Sequence, residues 1–243
     1  MATWIAHLRI AETLLEWMPE LDPQGFAVGS VAPDSGIPDE KWEKFTPPTE
    51  VTHFKSPEGS AHSAADLNFY RRYLAGKPFP GDDRKRSSFL FGYFCHLVTD
   101  NLWSALIYKP TRNRYQTQFE TIPGFIWEVK KDWYGLDFEH VRSHPESLYW
   151  RVFLTCDYLE NYLDFLLPEG VRSSLAHIQE YYQRRDAHAE ERVNRQRLYL
   201  TMPEMDRFVT TAAHTIESAW QRLQAGSVQV DGLFSVLETG FVE

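Results

Sequence analysis

The stretch "GYFCHLVTDNLW", residues 92–103, places His96 four residues before Asp100 inside a run of aromatic and aliphatic side chains. At that spacing the two polar groups lie on one helical face, their Cβ atoms roughly 5–6 Å apart. They either pair with each other or both point at a metal ion. The surrounding run, from Arg84 to about Tyr108, reads as one long buried helix, with Pro110 closing it.

Working outward, helical spacing dominates the chain. Trp4, Ile5, Leu8, Ala11, Leu15 and Met18 space a first helix over about 4–18, and His7 shares the face of Trp4 and Ala11, so it points inward. Residues 19–60 carry seven prolines and four glycines and read as a long ordered loop with at most short helical turns, the apolar "FAVGSVAP" and the aromatics Trp42 and Phe45 favouring order. A helix with Ser63 as N-cap and Gly76 as stop follows. Residues 116–135 form a helix broken near "IPG" and ended by Gly135, and residues 147–166 read as strongly helical. Pro168 and Pro203 open two later helices, the polar run around 183–197 reads as a solvated helix or linker, and the tail from Gly226 to Phe241 has no clear pattern. Strand-like alternation is scarce and no solenoid repeat is visible. The expectation is all-α: a single-domain multi-helix bundle over residues 1–243 with a long ordered loop near the N-terminus.

Composition excludes several classes. A net charge of −9 with no basic block argues against a nucleic-acid duplex as partner. No apolar run approaches the ~20 residues of a membrane span, and the first residues lack the basic start and apolar centre of a signal peptide, so the protein is expected to be cytoplasmic. Cys95 and Cys156, each in an apolar segment, read as buried free thiols.

The chemistry-bearing residues recur in order: His7 on the first helix, Asp34 in "GSVAPD", His53 in "THF", then His96 and Asp100. Individually each has a plain structural role open to it, as a core histidine, a turn former or a helix pair. Together, imidazole-rich with carboxylates, they suit zinc, and four chain segments would converge on one ion. The pair His140 and His144, with His62 and Asp157, are weaker candidates, and His177, His188 and His214 read as surface residues. Trp4, Phe54, Tyr93 and Trp103 serve either as pocket walls or as core.

These segments resemble the zinc-dependent phospholipase C family, all-helical metallophosphoesterases related in fold to single-strand nucleases of the P1 type. "HLRIAETLL" is similar to the family's early helix, "GSVAPD" to its acidic loop, "THF" to its S/T-H-F element, and "FLFGYFCHLVTD" to its hallmark F-x-Y-L-G-x-x-x-H-x-x-x-D helix. The resemblance covers residues 1 to about 104. It implies that His53, His96 and Asp100 bind one zinc, that His7 binds a neighbouring zinc bridged by Asp100, and that Asp34 is the carboxylate beside the activated water. It also implies a small phosphorylated substrate or a phospholipid head group. The chain departs from the family pattern in three places. Trp4 is internal where secreted members use a processed N-terminal Trp, and no histidine of the "QPMHA" type follows Asp100. The H-x-x-x-E pair of the other metal site has no clear counterpart. The reading is a metal-dependent hydrolase of phosphate esters with one or two zinc ions. The alternatives are a non-catalytic metal-binding helical module and a bundle in which His96 and Asp100 pair without an ion.

Overall fold

The computed structural model describes residues 1–240 apart from Trp42, Gly59, Ala61 and Leu159; the expectations resting on Trp42 and Phe241 lie outside the described residues. The fold is all-α, and among the described residues the strands are confined to one two-residue hairpin.

The first helix, α1 (Trp4–Trp17), starts at Thr3, whose extended backbone and side-chain oxygen cap Ala6 N. It buries Ile5, His7, Leu8, Ala11 and Leu14, the face expected from their spacing. The Pro- and Gly-rich stretch that follows is ordered but is less of a loop than expected. Asp22 caps a two-turn helix, α2 (Pro23–Gly29), with proline in its first turn, where a missing N–H costs nothing. A 3₁₀ turn over Ala32–Asp34, the hairpin β1 (Ile37–Pro38) and β2 (Phe45–Thr46), and α3 (Thr49–Thr52) complete the stretch. The next helix, α4 (Asp66–Tyr73), is entered from Ala65 rather than capped by Ser63, because Ser63 is engaged elsewhere. Gly76 stops the chain in the left-handed region, at φ 69°.

Residues 92–103 lie in α5 (Arg84–Trp103), buried on all sides from Ser88 onward, as a helix apolar all round must be. The helix does not end at Pro110. A π-helical turn over Ser104–Tyr108 runs into α6 (Lys109–Arg114), and Pro110 sits in its first turn. The break at "IPG" is present between α7 (Gln116–Thr121) and α8 (Phe125–Ser143), where Gly124 takes φ 73°. Gly135 does not end α8; it lies inside it because a Cβ there would meet the Arg192 carbonyl oxygen at 2.5 Å.

Residues 147–166 are the largest correction. Among the described residues of this span, only α9 (Leu148–Arg151) and a 3₁₀ turn over Phe153–Thr155 are helical. Beyond them side chains take the backbone groups a helix would need: Asp157 accepts from Tyr158 N, Tyr158 Oη from Tyr162 N and Asn161 Oδ1 from Leu163 N. Such local bonds compete with the helical ladder. The remaining helices are α10 (Pro168–Tyr181), α11 (Ala187–Asn194) and α12 (Met202–Gln224), the last with a Thr201–Glu204 capping box. The polar run is not a free linker, because buried Asp132 of α8 accepts from Leu198 N, Tyr199 N and Arg195 Nε. In the tail a 3₁₀ turn over Val236–Thr239 buries Val236. Cys95 and Cys156 are buried and free, as expected. No helix among the described residues is long and apolar enough to cross a membrane.

Three contacts place the site. Gly25 and Gly29 of α2 and Gly92 of α5 let the two backbones touch: a Cβ on Gly25 would overlap the Lys85 carbonyl, one on Gly29 the Phe89 carbonyl, and one on Gly92 would lie 2.5 Å from the Phe26 carbonyl oxygen. Second, the Thr3 hydroxyl donates to Asp137 Oδ1 at 2.7 Å while the Tyr182 hydroxyl donates to Oδ2 at 2.7 Å, tying the start of α1 to α8 and α10. Third, the Asn101 side chain spends its full capacity. Its oxygen accepts from Ser63 N, Ser63 Oγ and Ala64 N, and its two N–H groups donate to Ala64 O and Asp66, with Ser235 Oγ sharing one of them at 3.2 Å.

Two outcomes are expected from this frame. Gly92→Ala should force α2 and α5 apart at a cost of about 1–3 kcal/mol, lowering the melting temperature on the order of 5 °C. Gly81→Ala, with nothing nearer than 3.5 Å to its Cβ, should leave it unchanged. The second concerns Asp137, whose carboxyl burial pushes up to about 7 against the hydrogen bonds from Tyr182 and Thr3. The native state therefore holds this proton more tightly than the unfolded chain, and the stability it contributes at low pH is lost as pH rises through the folded value. The wild-type-minus-Asp137→Asn difference in melting temperature should accordingly fall between about pH 4.5 and about pH 8, since other titrations are common to both proteins.

Candidate metal centre

All five expected residues converge. His96 comes from the middle of α5, and its Nδ1 lies 2.9 Å from the Ser30 carbonyl oxygen, which can only accept. Nδ1 therefore carries the proton and Nε2 presents a lone pair to the cluster. His53, the C-cap of α3, sits with Nδ1 3.0 Å from Thr52 Oγ1, which turns its Nε2 inward as well. The Tyr93 hydroxyl donates to the Thr52 carbonyl, fixing α3 to α5. Asp34 ends the 3₁₀ turn after α2, and Asp100 is one helical turn beyond His96.

The donor atoms face one another. His53 Nε2 is 3.2 Å from Asp34 Oδ1, 3.3 Å from His96 Nε2 and 3.7 Å from Asp100 Oδ2, and His96 Nε2 is 3.7 Å from the same oxygen. Zinc bonds of about 2.0–2.1 Å in a tetrahedron give edges of roughly 3.3 Å, so these separations suit one shared ion. A closed His96–Asp100 couple fits less well, because 3.7 Å is too long for a hydrogen bond. The other Asp100 oxygen, Oδ1, accepts from Ala2 N at 2.7 Å and lies 3.6 Å from His7 Nε2. His7 stacks on His96 at 3.9 Å between ring centres, and neither of its buried nitrogens has a hydrogen-bond partner. A sealed imidazole with two unpartnered nitrogens is costly unless something takes a lone pair. Among the described residues, the sets able to hold an ion are His7, His96 and Asp100, and Asp34, His53 and His96.

The charges also suit a cation. Burial, with His7 second, pushes the His96 imidazole down to about 3, so it is neutral at pH 7. Burial alone would raise both carboxyls, yet the hydrogen bond from His53 and the His53 charge hold Asp34 below its ordinary value. The amine at Met1 and the adjacent His7 likewise hold Asp100 well below the usual carboxylate range. His53 moves upward: burial opposes its charge, but the bond to Asp34 and the Asp34 and Asp100 charges outweigh it. Two ionised carboxylates inside a sealed helix cluster need positive charge beside them.

One side is open. His53 and Asp100 line a cavity of about 370 Å³ whose rim carries Lys55, His62, Glu50 and Glu58. Ser56, Pro57, Glu58, Ser60, His62 and Ser63 form part of its wall, and Ser56 N donates to the Ser63 carbonyl.

The weaker candidates fall outside the cluster. His140 is buried with both nitrogens unpartnered, but it stacks on His144 with the Arg9 charge nearby, and burial and that charge drive it to about 3. Asp157 is exposed, and His62 reaches only the cavity rim. His177, His188 and His214 are exposed, as expected. Phe54 and Trp103 are aromatic packing. The sequence reading did not find the part played by Trp4, whose Nε1 donates to Asp34 Oδ2 at 3.0 Å. Its sequence signals, a place on the helix face of His7 and a candidate place in a pocket wall, did not single out its indole N–H. The Ser30 carbonyl and Thr52 leave no side-chain pattern that identifies their roles.

No curated protein and no solved structure matches the chain. The model of one family, described as zinc-dependent phospholipase C, matches residues 6–220, which includes the five clustered residues and extends well past the segments that first suggested it. With that match over most of its length, and a buried His/Asp cluster able to hold the metal, the chain belongs to the zinc-dependent phospholipase C family.

Proposed function

We propose that the protein hydrolyses a phosphate ester, a phosphodiester or phospholipid head group, at one zinc site formed by His53, His96 and Asp100 with Asp34 beside it. The observation that carries this reading is the set of inward donor atoms at tetrahedral-edge separations, open on one side to the cavity. Bound there, zinc supplies Lewis-acid polarisation of a phosphoryl oxygen and lowers the pKa of water.

The chain's own residues do the rest. Ser30 and Thr52 fix the imidazoles so that both Nε2 atoms face inward, and such outer contacts set ligand basicity and orientation. Asp34, ionised and with one oxygen held by Trp4, turns Oδ1 toward the cluster, where it takes the proton from the attacking water. The cavity receives the ester, and Lys55 at its rim offers a cation to the phosphate. A second ion would find His7 and Asp100 Oδ1. That is one protein ligand short of the three that catalytic zinc sites use, unless His96 is shared. The site therefore works with one tightly held ion.

A closed four-ligand site, with Asp34 as the fourth ligand, is the non-catalytic alternative, and Asp34 separates the two. Asp34→Asn should keep near-stoichiometric zinc while turnover of a phosphodiester panel falls about 10²–10⁴-fold; loss of zinc and turnover together would make Asp34 a ligand. Elemental analysis gives a further check. His53→Ala and His96→Ala should each lose the ion, and His7→Ala should retain one per chain. Retention in the first two would refute the assignment.

A further inference from the structure

We infer that Trp4 is a positioning residue for Asp34, acting through its indole N–H. The inference rests on the reading of Asp34 as the proton acceptor. Asp34 Oδ2 takes the indole proton at 3.0 Å, and Oδ1 is the oxygen left to face His53 at 3.2 Å. An indole N–H donates only and does not titrate in water, so it holds the carboxylate in one orientation without competing for its proton. With Oδ2 occupied, Asp34 presents a single oxygen to the site.

The indole is itself held. Its ring meets His177, Tyr181 and Tyr182 edge-on, with ring centres 5.7, 6.3 and 6.4 Å away. Tyr182 also bonds Asp137, which binds the Thr3 hydroxyl next in the chain to Trp4. Aromatic walls from α10 and a buried carboxylate from α8 thus set where one N–H points. Asp34 sits at the end of a short 3₁₀ turn, where the backbone does little to fix its side chain, so the indole supplies that constraint.

A packing role and a positioning role separate when the N–H is removed and the ring kept. Trp4 is replaced by benzothienylalanine, which keeps the bicyclic shape and lacks the donor, and in parallel by Trp4→Phe. Each is made in the wild-type and the Asp34→Asn backgrounds of the zinc-loaded protein. Turnover of bis(p-nitrophenyl) phosphate and zinc affinity, by chelator competition, are measured. Loss of such an outer contact should lower kcat about 10–100-fold, with KM and zinc affinity nearly unchanged, and should cost nothing further in the Asp34→Asn background. An undiminished loss in that background, full turnover without the N–H, or a fall in zinc affinity matching that in kcat would each overturn the inference. If Asp34→Asn alone leaves turnover intact, or the native protein cleaves no ester, the reading of Asp34 has failed and the inference falls with it. Indifference to Trp4 with a damaging Asp34→Asn defeats only the inference.

Discussion

The close approach of α2 and α5 is the constraint from which the site follows. Glycines on both helices remove the side chains that would hold the backbones apart, and the carbonyl at the end of α2 then comes within bonding distance of His96 Nδ1. That one bond sets the tautomer of His96, and the tautomer decides whether a lone pair or a proton faces the cluster. The same exit from α2 delivers Asp34 four residues later. Helix packing, histidine protonation and carboxylate placement are thus consequences of one backbone contact.

The electrostatics of the cluster read as a set, not as four independent groups. His96 is kept neutral by burial, His53 holds Asp34 down, the Met1 amine and His7 hold Asp100 down, and the two carboxylates in turn push His53 upward. A cation entering between these atoms replaces the proton that His53 would otherwise carry, so ion uptake and proton release are coupled there.

Much of this was legible in the sequence. The helical period of α1 and α5 is strong, and the spacing of His96 and Asp100 and the inward face of His7 follow from it. Asp34 and His53 were found through short motifs, and their convergence required the path of the chain between them. What stayed hidden has physical reasons. Residues 147–166 carry apolar spacing, yet Asp157, Tyr158 and Asn161 divert their backbone bonds, a competition that periodicity does not register. Pro110 and Gly135 look like breakers but sit where a first turn or a close neighbour accommodates them. The partners that orient the clustered side chains are a backbone carbonyl, a threonine and a tryptophan, residue types with no signature of their own.

The Asn101 amide has a further bearing on how such a site diversifies. It follows Asp100 directly and grips Ser63 and Ala64, while the Ser56–Ser63 bond closes the neck of the cavity-wall segment. A loop pinched at its base transmits little of what happens at its tip, and lengthening a closed loop costs slowly growing entropy. The part of the cavity wall that Ser56, Pro57, Glu58, Ser60, His62 and Ser63 contribute therefore rests on a fixed socket. Substitutions at those positions alter what the cavity accommodates, while His96 and Asp100, on the same helix as Asn101, keep their geometry.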